Sequence, residues 1–218
     1  DAWSAIKANK SGYLTDIDTQ SLLEICGEFE LDIALLFYQG AFVHKGDELL
    51  KISKSVEEEN IAEVLLPYLS IKASETIATT YIQGMQHMVE IAVKAMSPGI
   101  NDPATANSAI DYLTASLLEH LRQPPQQCLT TAEGEQHLWL QPLPLSDLLF
   151  RIYTPLRTYS TGDVVVSLKM IRSLRQLLNV NNLNNNHRDL LRGEIKRIKA
   201  DAQERLFNTH DQELIAEA

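Results

Sequence analysis

One stretch, Lys94-Ala95-Met96-Ser97-Pro98-Gly99-Ile100-Asn101-Asp102-Pro103-Ala104-Thr105-Ala106, ends one helix and begins another within a few residues. Upstream, Ile82, Met85, Val89, Ala92 and Met96 recur at spacings of three and four, with Gln86, His87, Glu90 and Lys94 on the polar side, as in an amphipathic helix. Pro98 biases Ser97 away from helical angles, and Gly99 suits the left-handed position that ends a helix. Asp102 is a good N-cap and Pro103 fits the first helical position, where its missing N–H costs nothing. Ala106, Ile110, Leu113, Leu117 and Leu121 then form the next apolar stripe. Any fold for this chain must accommodate two amphipathic helices joined by this turn.

The flanking sequence reads as α+β and mainly helical: a small mixed β/α module at 1–72, then an antiparallel helical bundle at 73–218 with a short β-hairpin insertion near 128–140. In the module, Tyr13, Leu14 and Ile17 suggest a strand, Asp18 caps a helix through Leu22, Leu23, Ile25 and Cys26, and Leu31 to Tyr38 is a strand run. Gly40 and Lys45-Gly46-Asp47 bracket Ala41-Phe42-Val43 and Glu48 to Ile52 as a hairpin, and Tyr68 to Lys72 forms a last strand. Glu57, Glu58 and Glu59 open a helix that Pro67 ends. In the bundle, Ser146 caps a helix that Pro155 should kink or shorten, and Val164, Leu168, Ile171, Leu174 and Leu178 form the next stripe. Residues 179–186 read as a polar linker, and a last helix places Leu191, Ile195, Ile198, Ala202 and Leu206 inward, its alternating charges forming a solvated face. The tail from Asn208 is expected to fray. The boundary near 69–80 lacks a flexible linker composition, so the two parts are expected to be coupled.

A chain of 218 residues buries a core without covalent staples. Cys26 and Cys128 are the only cysteines, which excludes a zinc finger or a disulfide framework. The net charge of −10 argues against nucleic acid as a partner, because phosphate binding needs clustered Lys and Arg; residues 1–66, with five basic and thirteen acidic residues, would also be repelled by anionic headgroups. No apolar run is long enough to span a bilayer, and Asp1 is not an initiator methionine, so the chain is expected to be part of a longer protein.

Candidate chemistry is sparse. His87 and Glu90 lie three apart on one helix, which can suit a shared ligand, but His44, His120, His137, His187 and His210 lack ligand spacing, so neither a metal nor a cofactor is expected. Asn101 and Asp102 at a helix start could cradle an anion or small ligand, against the simpler reading of a cap. Ser97 has no nucleophile elbow and no evident base.

The run Met96 to Ala106, preceded by Val89-Glu90-Ile91-Ala92, resembles the characteristic motif of a bacterial family of predicted membrane proteins, domain of unknown function 2254. Ser11-Gly12-Tyr13-Leu14 with Ile17-Asp18, Gly40-Ala41-Phe42-Val43 to Gly46 and Leu49, and Arg157-Thr158-Tyr159 with Gly162-Asp163 resemble its other landmarks in the same order. The segment Glu75 to Gln86 departs from the family in carrying fewer arginine and acidic residues. The resemblance implies transmembrane helices upstream of this part and no known activity. Helical spacing and the helix start make Glu90, Asn101 and Asp102 ligand- or partner-binding candidates, with Ser97, Pro98, Gly99 and Pro103 as the loop's structural frame; the resemblance adds Arg157 and Asp163, expected to pair with the central loop. The expected function is a non-enzymatic binding, regulatory or oligomerisation module, with a small-molecule or enzymatic site around Ser97 to Asp102 as the alternative. Its expected partners are the upstream transmembrane segment and a second copy. Its expected place is the inner or plasma membrane, with the cytoplasmic side preferred because both cysteines read as unpaired.

Overall fold

The computed structural model describes residues 3–54, 60–73, 81–122, 127–181 and 183–218. They form two compact units, Asp1–Thr80 with Pro124–Leu143, and Tyr81–Gln123 with Pro144–Ala218. The architecture is α+β and mainly helical.

The first unit contains β1 (Ser4–Lys7), β2 (Gly12–Ile17), α1 (Thr19–Glu28), β3 (Ile33–Leu35), β4 (Phe42–Val43), β5 (Glu48–Ile52), α2 (Ile61–Leu65), β6 (Leu69–Lys72), β7 (Gln127–Thr130) and β8 (His137–Leu140). A five-stranded sheet runs β1-β5-β3-β8-β7 and a three-stranded sheet runs β4-β2-β6. Every pairing is antiparallel except β3 with β8. Ile6, Leu14, Leu22, Ile33, Leu50, Ile52, Leu65 and Leu138 fill one core. Asp18 caps α1 as expected, accepting from the Ser21 N–H at 3.0 Å and its hydroxyl at 2.8 Å.

Three expectations change here. Residues 41–43 and 48–52 are not a hairpin: β4 pairs with β2, whereas β5 lies between β1 and β3 in the other sheet. The strand expected over Leu31 to Tyr38 shortens to Ile33–Leu35. The hairpin placed in the helical domain extends the sheet of the first unit, because Leu138 is fully buried there and pairs with Ile33. Asp32 fixes it further, its Oδ1 accepting from the His137 N–H at 2.8 Å and lying 3.3 Å from the ring Nδ1. The acidic run Glu57 to Glu59 lies outside the described residues.

The second unit contains α3 (Tyr81–Ala95), α4 (Pro103–Arg122), α5 (Leu145–Ser160), α6 (Val164–Leu178), α7 (Asn185–Arg205) and α8 (Thr209–Glu217). Helices α3 and α4 are antiparallel, since Tyr81 Oη at the start of one meets His120 Nδ1 at the end of the other, 3.1 Å away. Helices α4 and α6 run parallel: Asp111 pairs with Lys169, and one turn on Thr114 Oγ1 meets Ser173 Oγ at 2.6 Å. The stripes on α3 and α4 are buried as expected, except that Leu121, in the last turn of α4, is only half-buried. On α6 the buried face is rotated, with Val166, Met170 and Leu177 inward beside Ile171 and Leu174.

Helix α5 continues through Pro155 and starts after Pro144, without a Ser146 cap; Leu149, Ile152, Tyr153 and Leu156 hold it by burial, which outweighs the lost backbone bond. The tail does not fray, because Asn208 caps α8 and Ile215 is fully buried.

Candidate functional site

The parallel pairing of α4 with α6 has a consequence for the two turns singled out in the sequence. The start of α4 and the start of α6 lie at one end of the second unit, which is also the end of α5. The end of α7 joins them, as Arg205 Nη1 donates to the Thr158 carbonyl at 2.7 Å. Residues 97–103 and 160–163 therefore share one pole of the helical unit.

The central loop is closed by its own backbone. The Ser97 carbonyl accepts from the N–H groups of Ile100 and Asn101, each at 3.0 Å, and the Asp102 N–H returns to the Ala95 carbonyl at 2.8 Å. The Ser97 hydroxyl donates to the Lys94 carbonyl at 2.7 Å, so it helps terminate α3. Asn101, at φ 48°, takes the left-handed position expected of Gly99, and an amide side chain tolerates it better than most. Asp102 caps α4, accepting from the Thr105 N–H at 3.1 Å and from the Thr105 hydroxyl. Those two bonds, the hydroxyl's first, hold its carboxyl below the usual range, so it is an anion at neutral pH.

Arg157 and Asp163 do not pair with this loop. Asp163 caps α6 through the Val166 N–H at 2.9 Å. Arg157 turns to α7, its Nε 2.8 Å from Glu194 Oε1 and its Nη1 on Asp201 Oδ2. Glu194 also accepts from Arg197 at 2.8 Å. Burial opposes the Arg157 charge, but Asp201 and Glu194 outweigh it and hold the guanidinium above its ordinary value. Glu90 and His87 stand exposed on α3. Among the described residues, no three ligand-type side chains are close enough to hold a metal ion.

Two buried polar features were missed. Ser173 Oγ bridges Thr114 Oγ1 and Tyr153 Oη, at 2.6 and 2.8 Å, linking α4, α5 and α6; burial drives the Tyr153 hydroxyl's pKa upward. Glu194, with a side chain 4% exposed, lies in a segment whose alternating charges read as a solvated face. Only a carboxylate at an inward helical position, three residues beyond Leu191, could have signalled it.

The model of domain of unknown function 2254, described as a predicted membrane protein, matches residues 1–176. The chain belongs to this family. Uncharacterised proteins of Mycobacterium bovis strain AF2122/97 and Mycobacterium tuberculosis strain H37Rv are each similar, 25% identical over 174 residues, which is 77% of this chain and 33% of the relative. The chain thus spans about a third of the length of the curated relatives it matches. No solved structure matches it. Among the described residues of this domain 2254 chain, no helix is long and apolar enough to cross a membrane. The two turns at residues 97–103 and 160–163, both within the matched range, sit at the same pole, where their acidic residues cap helices.

Proposed function

We propose that this chain is a non-enzymatic, extramembrane binding or regulatory module of a longer membrane protein. The observation that carries the reading is the engagement of the candidate side chains: Asp102 and Asp163 cap helices, Arg157 locks α5 to α7, and the Ser97 hydroxyl ends α3. Acid–base or nucleophilic chemistry needs such groups aimed at a substrate, with a base within hydrogen-bond reach of the nucleophile. What the central loop presents instead is Pro98, Gly99, Ile100 and Asn101, an exposed tip closed by its own backbone bonds, with apolar surface and no titratable group among those four residues.

The test is complementation of a deletion strain by the full-length protein carrying Asp102→Asn. Asparagine keeps the cap but removes the charge, so wild-type activity at wild-type abundance fits a scaffold role. Loss of activity with a normal melting curve would instead establish a ligand-binding or enzymatic role for the carboxylate. The membrane reading has its own test: the full-length protein should sediment with membranes, and solubility without detergent would remove it.

A further inference from the structure

The pole that gathers the turns at residues 97–103 and 160–163 also gathers exposed apolar side chains from four separate segments. Ile100 (52% exposed) is on the central loop, Tyr159 (54%) ends α5, Val165 (55%) begins α6, and Phe207 is fully exposed between α7 and α8. The parallel pairing of α4 with α6 and the Arg205 to Thr158 bond place all four at the same end. We propose that this pole inserts into the interfacial region of a lipid bilayer, with Phe207 and Ile100 as its anchors.

Three observations select a bilayer over a protein partner. The residues project from four separate helix ends and loops, and scattered protrusions gain most from a fluid that closes around them. Tyrosine and phenylalanine flanked by an arginine, here Arg205, suit the interface, where a ring can sit among acyl chains while the charge reaches the headgroups. Electrostatics also permit the approach: the second unit holds thirteen basic and thirteen acidic residues, so the whole formal charge of −10 lies in the first unit. The second unit as a whole therefore carries no net formal charge to repel a headgroup layer.

This inference rests on the membrane reading, and its test is separable from that one. Tryptophan is placed at Phe207 or Ile100 in the 218-residue chain, against the constant background of Trp3 and Trp139, and mixed with uncharged phosphatidylcholine vesicles. Emission from both positions should shift to the blue in a manner insensitive to salt, while tryptophan at Tyr112, exposed midway along α4, should not respond. Phe207→Ser with Ile100→Ser should weaken vesicle partitioning about tenfold or more, since each buried apolar side chain contributes strongly to transfer. Circular dichroism checks that these surface changes leave the fold intact. No shift at either anchor, an equal shift at Tyr112, or a shift that appears without vesicles as protein concentration rises would each overturn the proposal, the last by assigning the pole to a second copy. A full-length protein that sediments with membranes yet shows no shift at Phe207 would overturn the tip insertion alone.

Discussion

Replacing Arg157 by alanine should be the most damaging change available at the candidate pole. The Arg157 side chain is 17% exposed and meets Glu194, 4% exposed, at 2.8 Å. Removing the guanidinium leaves a buried carboxylate whose remaining ion-pair partner, Arg197, is 61% exposed, as well as a gap where the arginine stem crossed from α5 to α7. Breaking a buried pair by deleting one member costs roughly 3–5 kcal/mol, and the surviving Arg197 contact places this case near about 3 kcal/mol. With a urea dependence of about 2 kcal/mol per molar, the unfolding midpoint should fall by about 1.5 M. Far-UV circular dichroism through a urea series reads it directly. Arg157→Met combined with Glu194→Met removes both charges and keeps apolar volume, so the double variant should recover to within about 1 kcal/mol of wild type. A loss below about 1 kcal/mol for Arg157→Ala would mean the cluster behaves as a solvated surface pair. Additive losses in the double variant would mean that packing, not charge burial, sets the cost.

Other perturbations follow from the same geometry. The Thr105 hydroxyl and N–H hold the Asp102 carboxyl below the usual carboxylate range, so its contribution is full above that range and is lost as pH falls through the lower folded value; acid titration should show the advantage of wild type over Asp102→Ala shrinking there, and an unchanged gap would refute the capping account. Asn101 rather than Gly99 carries positive φ, and a Cβ at Gly99 would meet nothing within 4 Å, so Gly99→Ala should be tolerated while Asn101→Val costs about 1–3 kcal/mol in thermal unfolding. The Cys26 thiol is pushed up to about 12 by burial and by Asp32, whereas Cys128 is exposed, so a native thiol assay should count one fast group and denaturant should release the second.

What the sequence conveyed was local. The three- and four-residue spacing of Ile82 to Met96 and of Ala106 to Leu117 placed α3 and α4, and Asp18 and Asp163 lie at helix starts where short polar side chains belong. The register of α6 was missed because Ser167 and Ser173 are buried while Val165 is exposed, the reverse of their hydropathy. Ser173 is inward because Tyr153 and Thr114 require a hydroxyl partner, a demand set by two other helices. Pairing across sheets was equally hidden: nothing near Phe42 or Leu49 announces that they join different sheets, and nothing in His137 to Leu140 points to β3. The shared pole of the two turns was illegible for the same reason, since it depends on the direction in which α6 runs beside α4.

The first unit is assembled from two stretches of chain separated by α3 and α4, and this sets an order on its biosynthesis. A ribosome delivers β1, β5 and β3 early, yet the parallel neighbour of β3 emerges only with His137 to Leu140, after the first two helices of the second unit have been made. Until then the outer edge of β3 is an open template, the kind of edge that recruits strands from other chains. A shortened gene ending at residue 80 would make that state permanent, yielding a sheet with an unfilled side and a core lacking Leu138. Dissecting this protein into expressible pieces therefore requires cuts that respect the return of the chain, retaining residues 124–143 with the amino-terminal segment by a linker across the excised helices.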